Sequence, residues 1–259
     1  MSSKITTELV KELRDATGIS IMQCRRALEE AEGDMKKALA ILKKTSGDIA
    51  LKKAERETKD GKVDVKTGAG KAVLLALHCE TDFVARNEDF VNLLSNLGDM
   101  AIKDGIEAMK KGAKEMIDLV IQKTGENISL GEVSEIKGEV LGNYVHNGKI
   151  AVVVSLEGGN VDLAKDIAMH VAAMKPEYIS PTEIDAEAQK LVTEIFEKEV
   201  ASIDKPEEIK KKVLEGKIAT YFKEKTLLSQ PFIKNGDETI ETLLAKNKAK
   251  IKEVKRYSI

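Results

Sequence analysis

Residues 72–87 read Ala72-Val73-Leu74-Leu75-Ala76-Leu77-His78-Cys79-Glu80-Thr81-Asp82-Phe83-Val84-Ala85-Arg86-Asn87, and the chain changes character partway through them. The six apolar residues at the start show no polar alternation, which is the pattern of a strand covered on both faces. Thr81 or Asp82 then offers a side-chain oxygen to the first free amides of a helix. Phe83, Phe90, Leu94 and Leu97 recur at helical spacing, so periodicity alone makes Phe83 a core residue. The first turn of a helix at a sheet edge is also where a ring and a carboxylate can project outward. Periodicity leaves both readings of Phe83 open.

Upstream, Val63-Asp64-Val65-Lys66-Thr67 alternates like a strand, and Gly68-Ala69-Gly70 supplies the turn of a hairpin into the apolar run. Gly68-Ala69-Gly70-Lys71 is not a phosphate loop. That motif needs a glycine five positions before its Gly-Lys pair and a hydroxyl after it, and this chain has Val65 and Ala72 there. Residues 46–62 are charged, broken by Ser46-Gly47-Asp48 and Asp60-Gly61, and read as a partly helical linker. Residues 1–45 read as three short helices. Leu9, Leu13 and Ala16 share a face of the first, Ser20 and Gln23 form a capping box for the second, and Asp34 caps the third. Ile21 and Met22 are adjacent, so at most one of them can face inward.

Downstream, a helical stretch through Met116, Leu119, Val120 and Ile121 stops at Thr124-Gly125, and apolar residues then alternate from Ile128 to Tyr144. Asn147-Gly148 marks a tight hairpin into Lys149-Ile150-Ala151-Val152-Val153-Val154. A helix from about Val161 to Lys175 follows, closed by Pro176. The two halves echo one another, strand then helix, which gives two related subdomains of antiparallel sheet plus helices: 63–140, and 141–180 with 228–259. Residues 181–227 read as a helical hairpin insert. Ile184, Ala188, Leu191 and Ile195 form the stripe of its first arm, Asp204-Lys205-Pro206-Glu207 makes its turn, and Ile209, Val213, Ile218 and Tyr221 lie on the return arm. Pro231-Phe232 marks re-entry, Thr239 to Asn247 a helix, and Lys248 to Ile259 a closing strand. The fold class is α+β.

The 259-residue chain carries 42 basic and 44 acidic residues, no tryptophan and 3% aromatic residues. Near-neutral charge and few stacking platforms argue against direct nucleic-acid binding. No run reaches the ~20 apolar residues that span a bilayer, so no membrane partner is expected. Cys24 and Cys79 sit far apart outside any CxxC pair, and the first thirty residues do not resemble a signal peptide; both point to reduced thiols in a cytoplasmic protein. His78, His146 and His170 lack metal-ligand spacing, and no nucleophile motif or carboxylate pair stands out, so no catalytic residue, metal or cofactor is expected.

The order strand, His78-Cys79-Glu80, then Thr81-Asp82-Phe83-Val84-Ala85-Arg86-Asn87 closely resembles a signature of the bacterial elongation factor Ts family, guanine-nucleotide exchange factors for elongation factor Tu. Leu13-Arg14-Asp15-Ala16-Thr17-Gly18 with Met22-Gln23-Cys24-Arg25-Arg26-Ala27-Leu28 is similar to a second. Leu141-Gly142-Asn143-Tyr144-Val145-His146 and Ile167-Ala168-Met169-His170-Val171-Ala172-Ala173 extend the likeness over nearly the whole chain.

The resemblance implies a ubiquitin-associated-like bundle at 1–45 and a coiled-coil hairpin at 181–227 able to mediate self-association. It implies that Thr81, Asp82, Phe83 and Val84 disturb the partner's magnesium site. It also implies that Leu13, Arg14, Ile21, Met22, Tyr144, His146 and His170 meet elongation factor Tu. The chain departs from the family in having Ser20-Ile21-Met22 where a small residue and two methionines are common. The rival reading is a protein-interaction scaffold built on the N-terminal bundle.

Overall fold

The computed structural model describes residues 5–203 and 205–259. Asp204, in the turn expected from sequence, and the first four residues of the N-terminal bundle lie outside the described residues. The chain is mixed α and β, and its contacts divide it into two units. One runs to Glu135 and takes in Asn147–Ala151 and Tyr257–Ile259; the other comprises Ile136–His146 and Val152–Arg256.

The first unit begins with α1 (Thr7–Thr17), α2 (Ile21–Glu30) and α3 (Met35–Lys53). Thr6, Ser20 and Asp34 cap them, each accepting a backbone N–H three residues on. The Ser20 hydroxyl also donates to Gln23 Oε1 at 2.9 Å. Leu13, Ile19, Cys24, Leu28, Ala38 and Leu42 form the small core between these helices.

Ser46-Gly47-Asp48 does not break the chain as expected. Helix α3 runs through it, because the Ser46 hydroxyl bonds the Leu42 carbonyl at 2.8 Å and also meets Gln122, while Ala50 joins the main core. The first part of 46–62 is therefore a packed helix rather than a linker.

Strands β1 (Asp60–Gly68) and β2 (Lys71–Cys79) form the expected hairpin, antiparallel with Val63 opposite Ala76 and Gly68 opposite Lys71. Ala69 and Gly70 both take positive φ, 50° and 72°, which matches the strand twist. Lys71 Nζ sits 3.1 Å from Glu135. The region is a strand connection.

Helices α4 (Asp82–Ala85), α5 (Glu88–Asp104) and α6 (Ile106–Thr124) follow, and β3 (Ile128–Lys137) completes a sheet of order β1-β2-β3. A single helix from Asp82 is not formed. At Asn87 the backbone swings to ψ 140°, and the Asn87 side chain accepts the Asp89 N–H at 2.9 Å to start α5 afresh. Val73, Leu75 and Leu77 of β2 pack in one core with Phe90 and Leu97 of α5 and Met109 of α6.

Further along the chain are β4 (Val140–His146) and β5 (Ile150–Glu157), joined at Asn147 and Gly148, whose φ values are 51° and 66°. Next come α7 (Val161–Met174), α8 (Ala186–Ala201) and α9 (Glu207–Lys225). A short antiparallel pair, β6 (Pro231–Phe232) and β7 (Asn235–Thr239), leads to α10 (Ile240–Lys246) and β8 (Lys250–Ser258). Strand β8 lies beside β5 in a sheet of order β4-β5-β8, the closing strand expected from sequence.

Helix α7 packs on β4. A Cβ at Gly142 would fall 2.2 Å from the Ala164 backbone, so only glycine permits this approach. The stripe expected on α8 is displaced: Leu191 and Ile195 are exposed, and Val192 and Val200 are the buried positions. Phe196 meets the Tyr221 ring of α9 at 5.9 Å. The inward row follows i, i+4 spacing, as close helix packing favours.

His170 on α7 is fully buried. Its Nδ1 accepts the Ile233 N–H at 3.2 Å, so Nε2 carries the proton and donates to Gln230 Oε1 at 2.9 Å. Burial lowers its pKa below 6.5 against the opposing Gln230 bond. The unfolded chain therefore takes up the proton first as pH falls. The stabilisation is full above the unfolded value and is lost downward from there toward the folded value.

Two outcomes are expected. Phe90→Ala should destabilise the protein by about 3–5 kcal/mol in denaturant titration, since it empties a fully buried site. Wild type should lose stability below pH 6.5 at up to ~1.4 kcal/mol per pH unit more steeply than His170→Gln.

Candidate functional site

Helix α4 is a single turn, too short to hold itself together in water, and it depends on what anchors its ends. At the C-terminal side Val84 and Ala85 are buried in the core beneath β2. Helical geometry rotates successive residues by about 100°, so with Val84 and Ala85 inward, Asp82 and Phe83 turn outward. Phe83 is 82% exposed, whereas Phe90 is fully buried. The expectation that left Phe83 open between core and surface is thereby decided for the surface.

At the N-terminal side the anchor is Thr81. Its hydroxyl caps α4 by accepting the Val84 N–H at 3.4 Å and donates to Glu126 Oε1 at 2.6 Å. Its own N–H donates to Glu126 Oε2 at 3.0 Å. The neighbouring pair is crossed the other way: the Asn127 N–H donates to Glu80 Oε1 at 2.6 Å. The end of β2 and the turn between α6 and β3 thus exchange carboxylate-to-backbone bonds, the strong charge-assisted kind. Asn127 Nδ2 extends the network to the Arg56 carbonyl at 2.7 Å.

Cys79 closes the underside, its thiol donating to the Thr81 carbonyl at 3.1 Å. Burial first, then the Asp60 and Glu126 carboxylates, push this thiol up to about 12, so it stays protonated and unreactive. Asp82 Oδ2 lies 2.8 Å from Arg86 Nη2 in an exposed i, i+4 pair, which costs little to open. The presented surface is therefore one aromatic ring and one carboxylate on a braced turn.

The remaining residues drawn from the sequence fall in different settings. Leu13 is fully buried between the N-terminal helices, so its side chain packs inward and offers no outer surface. Arg14 is exposed, and Ile21 and Met22 are 58% and 64% exposed. Both of that adjacent pair face out, where at least one was expected to.

In the second unit His146 is exposed and its Nδ1 lies 3.0 Å from the Tyr144 hydroxyl. His170 is the interior, fully hydrogen-bonded residue described above, not a surface contact. No group of three or more His, Cys, Asp or Glu able to hold a metal occurs among the described residues. No helix among them is long and apolar enough to cross a membrane.

Glu126 and Asn127 do not stand out in the sequence, and Glu80 stands there only as part of the motif around Thr81. Gly125-Glu126-Asn127 signals a helix stop, and Gly125 does end α6 at φ 78°. Nothing in the pattern links that turn to Thr81, which is 45 positions away.

The family model for elongation factor TS matches residues 80–259. Elongation factor Ts of Hahella chejuensis is 40% identical over 262 residues, covering 98% of this chain and 92% of the relative. That of Cellvibrio japonicus is 38% identical over 264 residues, with 99% and 91% covered, and that of Nitrosospira multiformis 38% over 277, with 99% and 90%. With this identity over nearly the whole length of the chain, and a family model that spans residues 80–259, the chain belongs to the elongation factor Ts family.

Proposed function

We propose that this chain is a cytoplasmic guanine-nucleotide exchange factor that binds elongation factor Tu in its GDP state and speeds GDP release so that GTP can rebind. The observation that carries the reading is the 82% exposure of Phe83 on a turn whose next two residues are buried. A phenyl ring held in water forgoes roughly 1.5–3 kcal/mol that burial would return, and insertion into a partner recovers it.

No bond is made or broken in such a process. The factor needs only to bind the nucleotide-free partner more tightly than the GDP-bound one. By linkage it then weakens GDP by the same ratio by which GDP weakens it, and every ~1.4 kcal/mol of that preference is tenfold.

Asp82 and Phe83 form the wedge, flanked by Thr81 and Val84. Magnesium tolerates little departure from octahedral coordination. A ring driven between elements of the partner that hold the metal's ligands or waters loosens the metal, and the β-phosphate loses its counter-charge. Asp82, a carboxylate brought alongside, competes electrostatically for the same cation.

Arg14, Ile21 and Met22 supply a second contact on the N-terminal bundle, which is read as ubiquitin-associated-like. Tyr144 and His146 supply a third. Leu13 and His170 support these surfaces from within. The α8–α9 hairpin, as part of a 181–227 insert, offers Leu191 and Ile195 for self-association.

Two measurements check this reading. Phe83→Ala should lower the maximal rate of fluorescent-GDP release from elongation factor Tu about tenfold or more, with stability within roughly 0.5 kcal/mol of wild type. Unchanged release, or an unfolded variant, would remove the wedge assignment. Met22→Asp should raise the factor concentration for half-maximal release roughly tenfold with the maximal rate kept, because it spoils a docking contact remote in sequence from the wedge. A loss confined to the maximal rate would place Met22 in the wedge instead.

A further inference from the structure

We propose that Glu126 is a positioning residue for exchange: by gripping Thr81 through both amide and hydroxyl, its carboxylate fixes the direction in which Asp82 and Phe83 are presented. The inference rests on the wedge reading above and adds to it a residue that touches neither nucleotide nor metal.

The Thr81 hydroxyl has one proton and two lone pairs. With the proton committed to Glu126 Oε1 at 2.6 Å, a lone pair is left to face the Val84 N–H and cap α4. The Thr81 N–H goes to the other oxygen of the same carboxylate at 3.0 Å. One side chain therefore sets both the backbone position from which α4 departs and the rotor state that starts it.

No second turn of helix supports α4, since it ends at Ala85 and the chain reorients at Asn87. Without Glu126 the hydroxyl is free to rotate, and a one-turn helix has little cooperativity with which to resist fraying. Phe83 has no ring partner among the described residues to hold it otherwise. The ring would then sample many directions, and the ordering would have to be supplied during exchange.

Glu126 itself has anchors that do not pass through the wedge. It follows Gly125, which ends α6 and whose carbonyl receives Lys53 Nζ, and it precedes Asn127, whose side chain donates to the Arg56 carbonyl. The carboxylate is thus mounted on the packed α3–α6 side of the unit, and the single turn that starts at Thr81 is the element it holds.

The test measures fluorescent-GDP release from elongation factor Tu against factor concentration for the full chain and for Glu126→Ala, Glu126→Gln, Phe83→Ala and Glu126→Ala/Phe83→Ala. Glu126→Ala should lower the maximal rate about tenfold while the half-maximal concentration stays within about twofold, a split that general loss of structure would not give. Glu126→Gln, which keeps one acceptor oxygen for two donors, should recover part of the rate. In the Phe83→Ala background, removing Glu126 should cost little more, because the residue acts through the ring.

A wild-type maximal rate for Glu126→Ala beside an impaired Phe83→Ala overturns the inference and leaves the wedge standing. Equal fold-losses from Glu126→Ala with and without Phe83 also overturn it. Wild-type release by Phe83→Ala overturns the wedge and this inference together. Should Glu126→Ala not fold, Thr81→Val removes the hydroxyl half of the grip, and a maximal rate unchanged by that variant overturns the proposal.

Discussion

Strand β2 is covered on both faces from Ala72 to Leu77, and that burial fixes where everything after it begins. A strand polar on both faces slips in register at modest cost, and one with a single buried face is held by that face. One packed on both sides cannot move without emptying two sets of sites at once. The last residues of β2 are therefore placed to within hydrogen-bond tolerance, and Thr81 inherits that precision. Cys79 below it and Glu126 beside it then need only short bonds to fix the start of α4.

The same burial creates the exposure. Val84 and Ala85 fill space under the sheet, and a helical turn that buries two consecutive residues must turn the two before them away. Phe83 in water is thus a consequence of packing one and two residues later. Its cost is offset by the core that Val84, Ala85 and Phe90 join. The exposed ring thus sits on a braced turn, beside an acid whose ion-pair partner among the described residues is a solvent-exposed arginine, so the turn is held firmly at its base while the acid is weakly committed.

Much of the fold was legible in the residues. The β1–β2 hairpin followed from alternation and a glycine turn, the β4–β5 hairpin from Asn147-Gly148, and the N-terminal helices from the face shared by Leu9, Leu13 and Ala16 and from Ser20 and Asp34 placed before amphipathic runs. These are local signals, complete within a few residues. Failures came where a distant partner outweighed a local preference. Ser46-Gly47-Asp48 has the composition of a break, yet Gln122 on another helix and the burial of Ala50 carry α3 through it. Leu191 and Ile195 share a face with Ile184, but Phe196 meeting Tyr221 chose the adjacent row for packing.

The sequence by itself determined which segments are strands and helices, where most of them start and stop, and through the order Thr81-Asp82-Phe83-Val84 beside the N-terminal motif, to which family the chain belongs. Those properties depend on hydrophobic period, capping chemistry and motif order, all written in neighbouring residues. Only the tertiary structure decided that Phe83 is outside while Phe90 is inside, that Leu13 and His170 are interior, and that Glu126 holds Thr81. Two phenylalanines on one helical period are indistinguishable until the chain is seen to break at Asn87, and a carboxylate's partner is set by folding together segments far apart in sequence, which no local pattern encodes.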